Sequence, residues 1–292
     1  MGRLNKQNTA LSFLVFLMFS YYYGQNLQVV YDVKFKSQKS NDLILSEQML
    51  LEISVERNES FYQSNNKVKY DSLTLEINKL GNSPAGNAII DALPSYTFNH
   101  TIYKNFKKRK FIISESIQDQ WYSTDFSFLD QWDLSKEFKN IQGYKCNKAT
   151  TNFGGRRWVA WYASEIPFHD GPYKFHGLPG LILEISSDDG EYHFTTIGIQ
   201  NKENGILPIV KTLKLSNQQL LHFKTKTAEE PSLKLKQAMI RSGLSGSTVN
   251  VVFDGADSNE NNSDLYERIN SEYWQWMKKH NNPIEKHDIW LK

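Results

Sequence analysis

The stretch YKCNKATTNFGGRRWVAWYA, residues 144–163, indicates most directly what kind of fold this chain adopts. Gly154-Gly155 lies at its centre, and a two-residue hairpin turn needs the positive φ that glycine adopts without strain. The residues on either side predict two strands, Tyr144–Phe153 and Arg156–Ala163. The stretch therefore predicts an antiparallel β-hairpin.

A second hairpin is predicted immediately downstream, with strands Leu181–Ser187 and Glu191–Gly198 joined at Asp189-Gly190. Asp-Gly is a strong signal for the same class of tight turn. The run Leu181-Ile182-Leu183 is apolar at successive positions, which predicts that both faces of the sheet are covered there. The two turns also predict the facing residues, namely Lys148 with Trp161, Cys146 with Ala163, Ile185 with Phe194 and Leu183 with Thr196.

Alternating hydrophobicity extends this β pattern towards the N-terminus. Leu27–Ser37 places Val29, Tyr31, Val33 and Phe35 on one face and charged residues on the other, the period of a half-buried strand. The remaining elements predicted in this half are strands at Leu43–Val55, Ser60–Ser64, Ser95–Phe106 and Lys110–Ile117, a helix at Val68–Leu80 and a loop at Asn82–Asn87.

The C-terminal part of the chain has helical periodicity instead. A helix is predicted at Gln218–Lys226, another from Pro231 to Arg241, and the clearest at Asp264–His280. The last helix carries an apolar stripe predicted to dock on the sheet, made by Leu265, Ile269, Tyr273, Trp276 and Met277.

We therefore predict a mainly β (α+β) protein: a curved antiparallel sheet or open half-barrel with C-terminal helices. Residues 25–292 are predicted to form a single domain, mostly β over residues 25–212 and mostly helical over residues 213–292.

The first 24 residues are predicted to be a signal peptide. Arg3 and Lys6 precede a stretch without charge from Thr9 to Tyr23, and its apolar run, Leu11–Phe19, is shorter than the roughly 20 apolar residues that a membrane span needs. Cleavage is predicted after Gly24, with an uncleaved anchor as the alternative. The mature protein is then expected in the periplasm, secreted, or associated with the outer membrane, with no later transmembrane span.

The charge balance argues against a nucleic-acid partner. Lys and Arg number 34 and Asp and Glu 32, and because the signal peptide holds two of the bases and no acid, the mature chain balances at 34 − 2 = 32 against 32. A protein that binds phosphate backbones usually carries a basic excess. The basic patch Lys104–Lys110 is predicted to be a solvated hairpin turn. Cys146 is the only cysteine, so no disulfide can form within the chain.

The segment that joins the two hairpins has the most distinctive sequence, IPFHDGPYKFHGLPG at residues 166–180. Gly171-Pro172 marks one bend, and Leu178-Pro179-Gly180-Leu181 fits a type II turn in which Pro presets φ and Gly supplies the positive φ. We call residues Ile166–Gly180 the block loop. A rigid structural turn is the main interpretation of this segment, although such a loop can also line a binding site.

The block loop also carries a resemblance to a known family. Gly171-Pro172 and the run from Gly177 through Glu184 resemble the central motif of the GLPGLI family of exported proteins of Bacteroidota, and Trp161-Tyr162-Ala163 and Asn282-Pro283-Ile284-Glu285 are similar to flanking motifs of that family. The resemblance implies an envelope protein, often encoded near TonB-dependent receptors, and it supplies no catalytic residues. At the level of fold alone, the strands resemble the open β half-barrels of lipoprotein carriers.

No pattern in the sequence commits to catalysis or to a cofactor. His169, Asp170 and His176 can all ligate metals, but their spacing matches no known ligand set, so no metal site is predicted. Glu165 and Glu184 border the block loop without a motif that would make either a general acid. No catalytic residue and no cofactor are predicted.

The leading functional hypothesis rests on the aromatic residues of the central region. It is a non-enzymatic envelope protein that binds an apolar or extended ligand, or a membrane-receptor partner, in the concavity of the curved sheet. The alternatives are an accessory subunit of a TonB-dependent outer-membrane transporter and an envelope hydrolase. The candidate ligand-binding residues are Trp121, Trp158, Trp161, Tyr162, Phe168, His169, Phe175 and His176.

Overall fold

The computed structural model describes residues 26–81, 83–118, 120–129, 131–202, 211–242 and 262–291. The predicted signal peptide lies outside the described residues. None of the described helices is both long enough and apolar enough to cross a membrane.

The described strands form one sheet, in the spatial order β12-β6-β5-β4-β3-β2-β1-β11-β10-β9-β8-β7. Every pairing is antiparallel except that between β12 and β6, and the two end strands do not pair with each other, so the sheet is open. The predicted mainly β class is confirmed. The strands are β1 Asn26–Lys36, β2 Ile44–Ser54, β3 Glu59–Ser64, β4 His100–Asn105, β5 Lys110–Ile117, β6 Gln120–Asp125, β7 Asp133–Ile141, β8 Tyr144–Phe153, β9 Arg156–Ala163, β10 Leu181–Ser187, β11 Tyr192–Lys202 and β12 Leu213–Lys214.

The hairpin registers follow the turn chemistry. Residues Lys148 and Cys146 of β8 pair with Trp161 and Ala163 of β9, as predicted. In the second hairpin Ile185 pairs with Phe194, also as predicted, whereas the predicted pair of Leu183 with Thr196 is not part of the register, which becomes irregular at Leu183. In both hairpins the positive φ of glycine at the turn sets which residues of the two strands face each other.

Strand β1 lies at the centre of the sheet, between β2 and β11. Its predicted apolar face is fully buried, and Phe35 lies 4.7 Å from Phe98, centroid to centroid. The aromatic packing continues into β11, where Tyr192 and Phe194 stack at 6.4 Å. A period of two thus places one face of the central strand in the core.

The five described helices are α1 Asn65–Leu80, α2 Pro84–Asp91, α3 Asn217–Glu229, α4 Leu233–Arg241 and α5 Asn262–Lys279. The prediction of a loop at Asn82–Asn87 is wrong, because α2 begins at Pro84. The Ser83 hydroxyl accepts the Gly86 N–H and proline occupies the first turn, so the residues that resemble a loop signal form a helix start.

One strand prediction also needs correction, and three strands, β6, β7 and β12, are missing from the sequence prediction. β4 begins at His100 rather than Ser95, because the N–H groups of Thr97 and Phe98 donate to the Glu47 carboxylate instead of to a strand. β7 was not predicted at all. It is the edge strand of the sheet and is mostly exposed on both faces, so it has no alternating pattern.

The apolar stripe of α5 lies partly against the sheet. Leu265 is buried, and Tyr273 and Met277 pack against a small cluster that contains Ile117 of β5. The stripe residues other than Leu265 are only half-buried. Docking of this helix is therefore incomplete, and part of the stripe faces a cleft described below.

The C-terminal segment after α5 is held by a buried arginine of β9. The Nε atom of Arg156 donates to Ile284 O at 3.0 Å, and Nη2 donates to Asn282 Oδ1 at 2.7 Å and to Pro283 O at 3.0 Å. The Nη1 atom pairs with the carboxylates of Asp189 and Glu191. The guanidinium thus has an acceptor for each of its five N–H groups.

Removing this guanidinium should destabilise the fold much more than removing its neighbour. We expect Arg156→Met to lower the free energy of unfolding by about 3–5 kcal/mol, because two carboxylates, two main-chain carbonyls and the Asn282 side-chain oxygen lose this donor. Arg157→Met is the matched control, since Arg157 is exposed and makes one 3.3 Å pair with Asp188; it should change stability by less than about 0.5 kcal/mol. Urea unfolding measures both, and equal effects would contradict the assignment.

Candidate functional site

The block loop lies against the sheet and is anchored there by a lysine from β4. The Nζ atom of Lys104 pairs with the Asp170 carboxylate and donates to Gly171 O at 2.8 Å and to Phe175 O at 3.5 Å. Both side chains of the ion pair are fully buried. Lys104 begins the basic patch predicted to be a solvated turn, and for this residue the prediction is wrong because its ammonium points into the loop.

Burial dominates the electrostatics of the pair. It lowers the pKa of the Lys104 ammonium, and the Asp170 charge and hydrogen bond oppose that shift. Asp170 Oδ1 also accepts the Gly171 N–H at 2.8 Å, whereas Oδ2 has no partner among the described residues. A buried pair of this kind adds little net stability but is costly to break, because one partner alone is an uncompensated charge.

The bend at the end of the block loop differs from the type II turn that was predicted. Gly180 has φ of 152° rather than about 80°, its N–H donates to Leu178 O at 2.8 Å, and the Leu181 N–H donates instead to Ile166 O at 3.1 Å. A Cβ at Gly180 would lie 2.3 Å from Ala163 O. Glycine is therefore required for the loop to approach β9 so closely.

The three metal-capable residues of the block loop serve different contacts. His169 is exposed, and Asp170 pairs with Lys104. His176 is buried; its Nε2 accepts the Leu129 N–H at 3.1 Å and its Nδ1 lies 2.7 Å from Lys174 O. No three metal-capable side chains come together within the described ranges.

The predicted aromatic residues occupy separate places. Trp158 and Phe175 meet in the core, with centroids 4.7 Å apart, and Tyr162 is buried. The Lys139 ammonium lies over the ring of Trp161, 4.6 Å from its centroid. Of the others, Trp121 lies on β6 beside Lys67, and Phe168 is half-buried in the block loop. The structure brings Trp158 and Phe175 together as packing and does not assemble the whole set around one cavity.

A cleft of about 760 Å³ lies elsewhere, between the β5 end of the sheet and helices α4 and α5. Three hydrogen bonds fix its walls. Gln118, which follows β5, donates from Nε2 to Pro231 O at 2.6 Å. Its main-chain carbonyl accepts a hydrogen bond from the Lys234 ammonium, and the two bonds tie α4 to the sheet. The Ser232 N–H donates to Asn270 Oδ1 at 2.8 Å, which ties α4 to α5.

The lining of the cleft is mixed in character. Leu235, Ala238 and Ile269 supply apolar surface, while Ser232 and Arg268 are among the polar members. Sequence analysis missed this site. The helices were predicted, but no motif marks these residues, and only the packing of α4 and α5 at the sheet end brings them together.

A second, far smaller cavity of about 20 Å³ is lined by His100, Glu115 and Trp290. Burial, and after it the nearby Lys174 and Lys224 charges, lower the pKa of His100 to about 3. The imidazole is therefore neutral, and its Nε2 has no partner among the described residues. The volume suffices for about one water molecule and excludes an organic ligand.

Comparison with known proteins concerns mainly the region around the block loop. A family model described as "Protein of unknown function (Porph_ging)" matches residues 154–184. No curated protein matches the sequence. The matched segment runs from the Gly154-Gly155 turn through the block loop into β10.

Solved structures show only distant similarity. A PNGF-II structure in space group P21 has a TM-score of 0.48 at 11% identity, covering 68% of this chain and 33% of that one. PNGF-II in space group C2 has a TM-score of 0.45 at 12% identity, covering 67% and 32%. An uncharacterised conserved protein from Thermus thermophilus has a TM-score of 0.34 at 6% identity, covering 71% and 99%. This chain thus spans about a third of the PNGF-II chains.

Adding one methyl group at the end of the block loop should be strongly destabilising. We expect Gly180→Ala to lower the free energy of unfolding by about 2–4 kcal/mol, from strained φ and from the clash with Ala163 O. Gly190→Ala is the control, since φ is 69° there and nothing lies within 4 Å of the added Cβ; about 1 kcal/mol is expected. Thermal or urea unfolding compares them, and equal losses would argue against the close approach.

The buried ion pair should be strongly coupled in a double-mutant cycle. We expect Lys104→Met to lower the free energy of unfolding by about 3–5 kcal/mol, because it leaves the Asp170 carboxylate buried without a counter-charge. Asp170→Asn alone leaves the ammonium unpaired. The double variant Lys104→Met with Asp170→Asn should be less destabilised than the sum of the two single changes, by at least about 1 kcal/mol. Strict additivity in urea unfolding would show that the two charges do not interact.

Proposed function

We propose that this protein is a non-enzymatic binding protein of the bacterial cell envelope, which holds an apolar or extended small molecule in the cleft between the sheet and helices α4 and α5. The observation that carries the proposal is the cleft itself. Its volume of about 760 Å³ falls within the roughly 300–1,000 Å³ typical of ligand sites, and its lining combines apolar side chains with a larger number of polar ones.

The placement of the ligand differs from the one expected from sequence. The aromatic residues Trp158 and Phe175 pack against each other and against Phe194, so they contribute to stability rather than to open space. The block loop supplies part of that packing through Tyr173 and Leu178, which are both buried. In this proposal the block loop has a structural role, packing against the sheet, and the ligand binds at the end of the molecule where α4 and α5 lie.

The envelope location is part of the same proposal. It is supported by the signal-peptide pattern of the first 24 residues and by the resemblance of the block loop to the GLPGLI family of exported proteins. The family match over residues 154–184 covers the same loop, and we propose GLPGLI membership on that basis. A mass spectrum of the mature N-terminus tests export, since material from the culture's envelope fraction that begins at Met1 would contradict it.

Filling the cleft should weaken ligand binding. The wild-type protein is expected to bind the neutral fluorescent probe N-phenyl-1-naphthylamine, and Ala238→Trp should weaken binding about tenfold or more, because the indole occupies the cleft beside α4. Ile240→Trp is the matched control on the same helix, since Ile240 is 65% exposed and does not line the cleft. It should bind as the wild type does.

Fluorescence titration reads out both variants, and circular dichroism checks that they fold. Absence of probe binding to the wild type would contradict the proposed function. Equal binding by the wild type and Ala238→Trp would place the ligand elsewhere.

A further inference from the structure

Gln118, on the wall of the cleft, has a backbone conformation that glutamine does not favour. It is the first residue of the two-residue connection between β5 and β6, since Ile117 and Gln120 pair across this hairpin. Its φ of 49° lies in the left-handed region. Asn, Asp and Gly adopt that region most readily, and a tight hairpin turn favours one of them at this position. The turn by itself would therefore be more stable with one of those residues.

The longer side chain of Gln118 makes a contact that a typical turn residue cannot make. Its Nε2 donates to Pro231 O at 2.6 Å across 113 residues of sequence, and its main-chain carbonyl accepts the Lys234 ammonium. All three residues line the cleft. Asparagine is one methylene group shorter, so its amide would lie beyond hydrogen-bond distance of Pro231 O unless the chain moved.

Helix α4 buries little of its own surface. Of its nine residues, all of which the structure describes, Met239 alone is buried, and its Sδ accepts a hydrogen bond from the Tyr266 hydroxyl of α5 at 2.9 Å. Just before the helix, the Ser232 N–H donates to Asn270 Oδ1, also on α5. These two contacts join α4 to α5, whereas the two bonds of Gln118 join α4 to the sheet. The Gln118 bonds therefore fix the helical wall of the cleft relative to the wall that the sheet supplies.

A second glutamine occupies the same position in another tight turn. Gln142 is the first residue of the two-residue connection between β7 and β8, where Ile141 and Tyr144 pair, and its φ is also 49°. Its Nε2 likewise donates to a distant main-chain carbonyl, Thr196 O on β11. However, β7 lies at the opposite edge of the sheet, and Gln142 does not line the cleft. Gln142 is therefore a control with the same backbone conformation and the same kind of bond.

We infer that Gln118 is the positioning residue of the cleft, which holds α4 against the sheet in the position that ligand binding requires. Backbone strain of this kind is often found at functional sites, where it fixes a geometry that binding needs. This inference rests on the proposed function and goes beyond it, since it names the residue on which the shape of the site depends.

Substitutions at the two glutamines test the inference. Gln118→Asn and Gln118→Gly suit the left-handed backbone and remove the bond to Pro231 O, so both variants should fold. We expect each to bind N-phenyl-1-naphthylamine about fivefold more weakly than the wild type does, the effect of roughly one hydrogen bond. Gln142→Asn and Gln142→Gly should bind the probe with wild-type affinity, although their thermal midpoints should change as those of the Gln118 variants do.

Amide hydrogen exchange of α4 provides a readout that needs no ligand. The amides of residues 233–241 should exchange about fivefold faster in Gln118→Asn than in the wild type, because the helix loses a bond to the sheet. In Gln142→Asn they should exchange at the wild-type rate. A role confined to the stability of the turn would not separate these two variants.

The outcomes separate this inference from the proposed function. Wild-type probe affinity in both Gln118 variants would overturn the inference and leave the cleft as a ligand site. Equal weakening by the Gln118 and Gln142 variants would also overturn it, because the loss would then follow from the turns and not from α4. If the wild type does not bind the probe, the proposed function fails, and wild-type exchange of α4 in Gln118→Asn would then overturn the positioning role as well.

Discussion

The buried ion pair between Lys104 and Asp170 is the interaction on which the arrangement of this molecule depends. A lysine ammonium in the core needs an acceptor for each of its N–H groups, and the block loop supplies a carboxylate and two carbonyls for this purpose. The loop meets that demand in the path that it takes across the sheet. The pair therefore specifies where the loop lies, even if it contributes little net stability.

Once the loop has that path, the rest of the core follows. Phe175 packs against Trp158, and His176 packs against Phe111. Position 180 lies so close to β9 that only a residue without a Cβ fits there. Arg156 holds the C-terminal segment by the same principle, since this buried cation donates to main-chain carbonyls from a distant part of the sequence. Two buried cations thus tie two irregular segments to one regular sheet.

This division of labour explains why the candidate site lies away from the most distinctive motif. The interior of the sheet is filled by side chains of the strands and of the block loop, so space for a ligand exists where helices α4 and α5 meet the β5 end. Helix packing there is incomplete and leaves the Ser232 hydroxyl buried without a partner among the described residues. The most distinctive sequence motif therefore serves to build the core of this fold.

The amino-acid sequence by itself determined the hairpins, their registers and the central strand. These depend on local rules, namely the positive φ of Gly154-Gly155 and the period of two in β1. Tertiary structure alone decided that Lys104 is buried, because its partner is 66 residues away and a basic patch looks the same whether solvated or paired. Tertiary structure also decided where the cleft lies, because its walls come from separate stretches of the chain. Local sequence encodes turns and periodicity, whereas the burial of a charge and the shape of a cavity depend on which distant segments pack together.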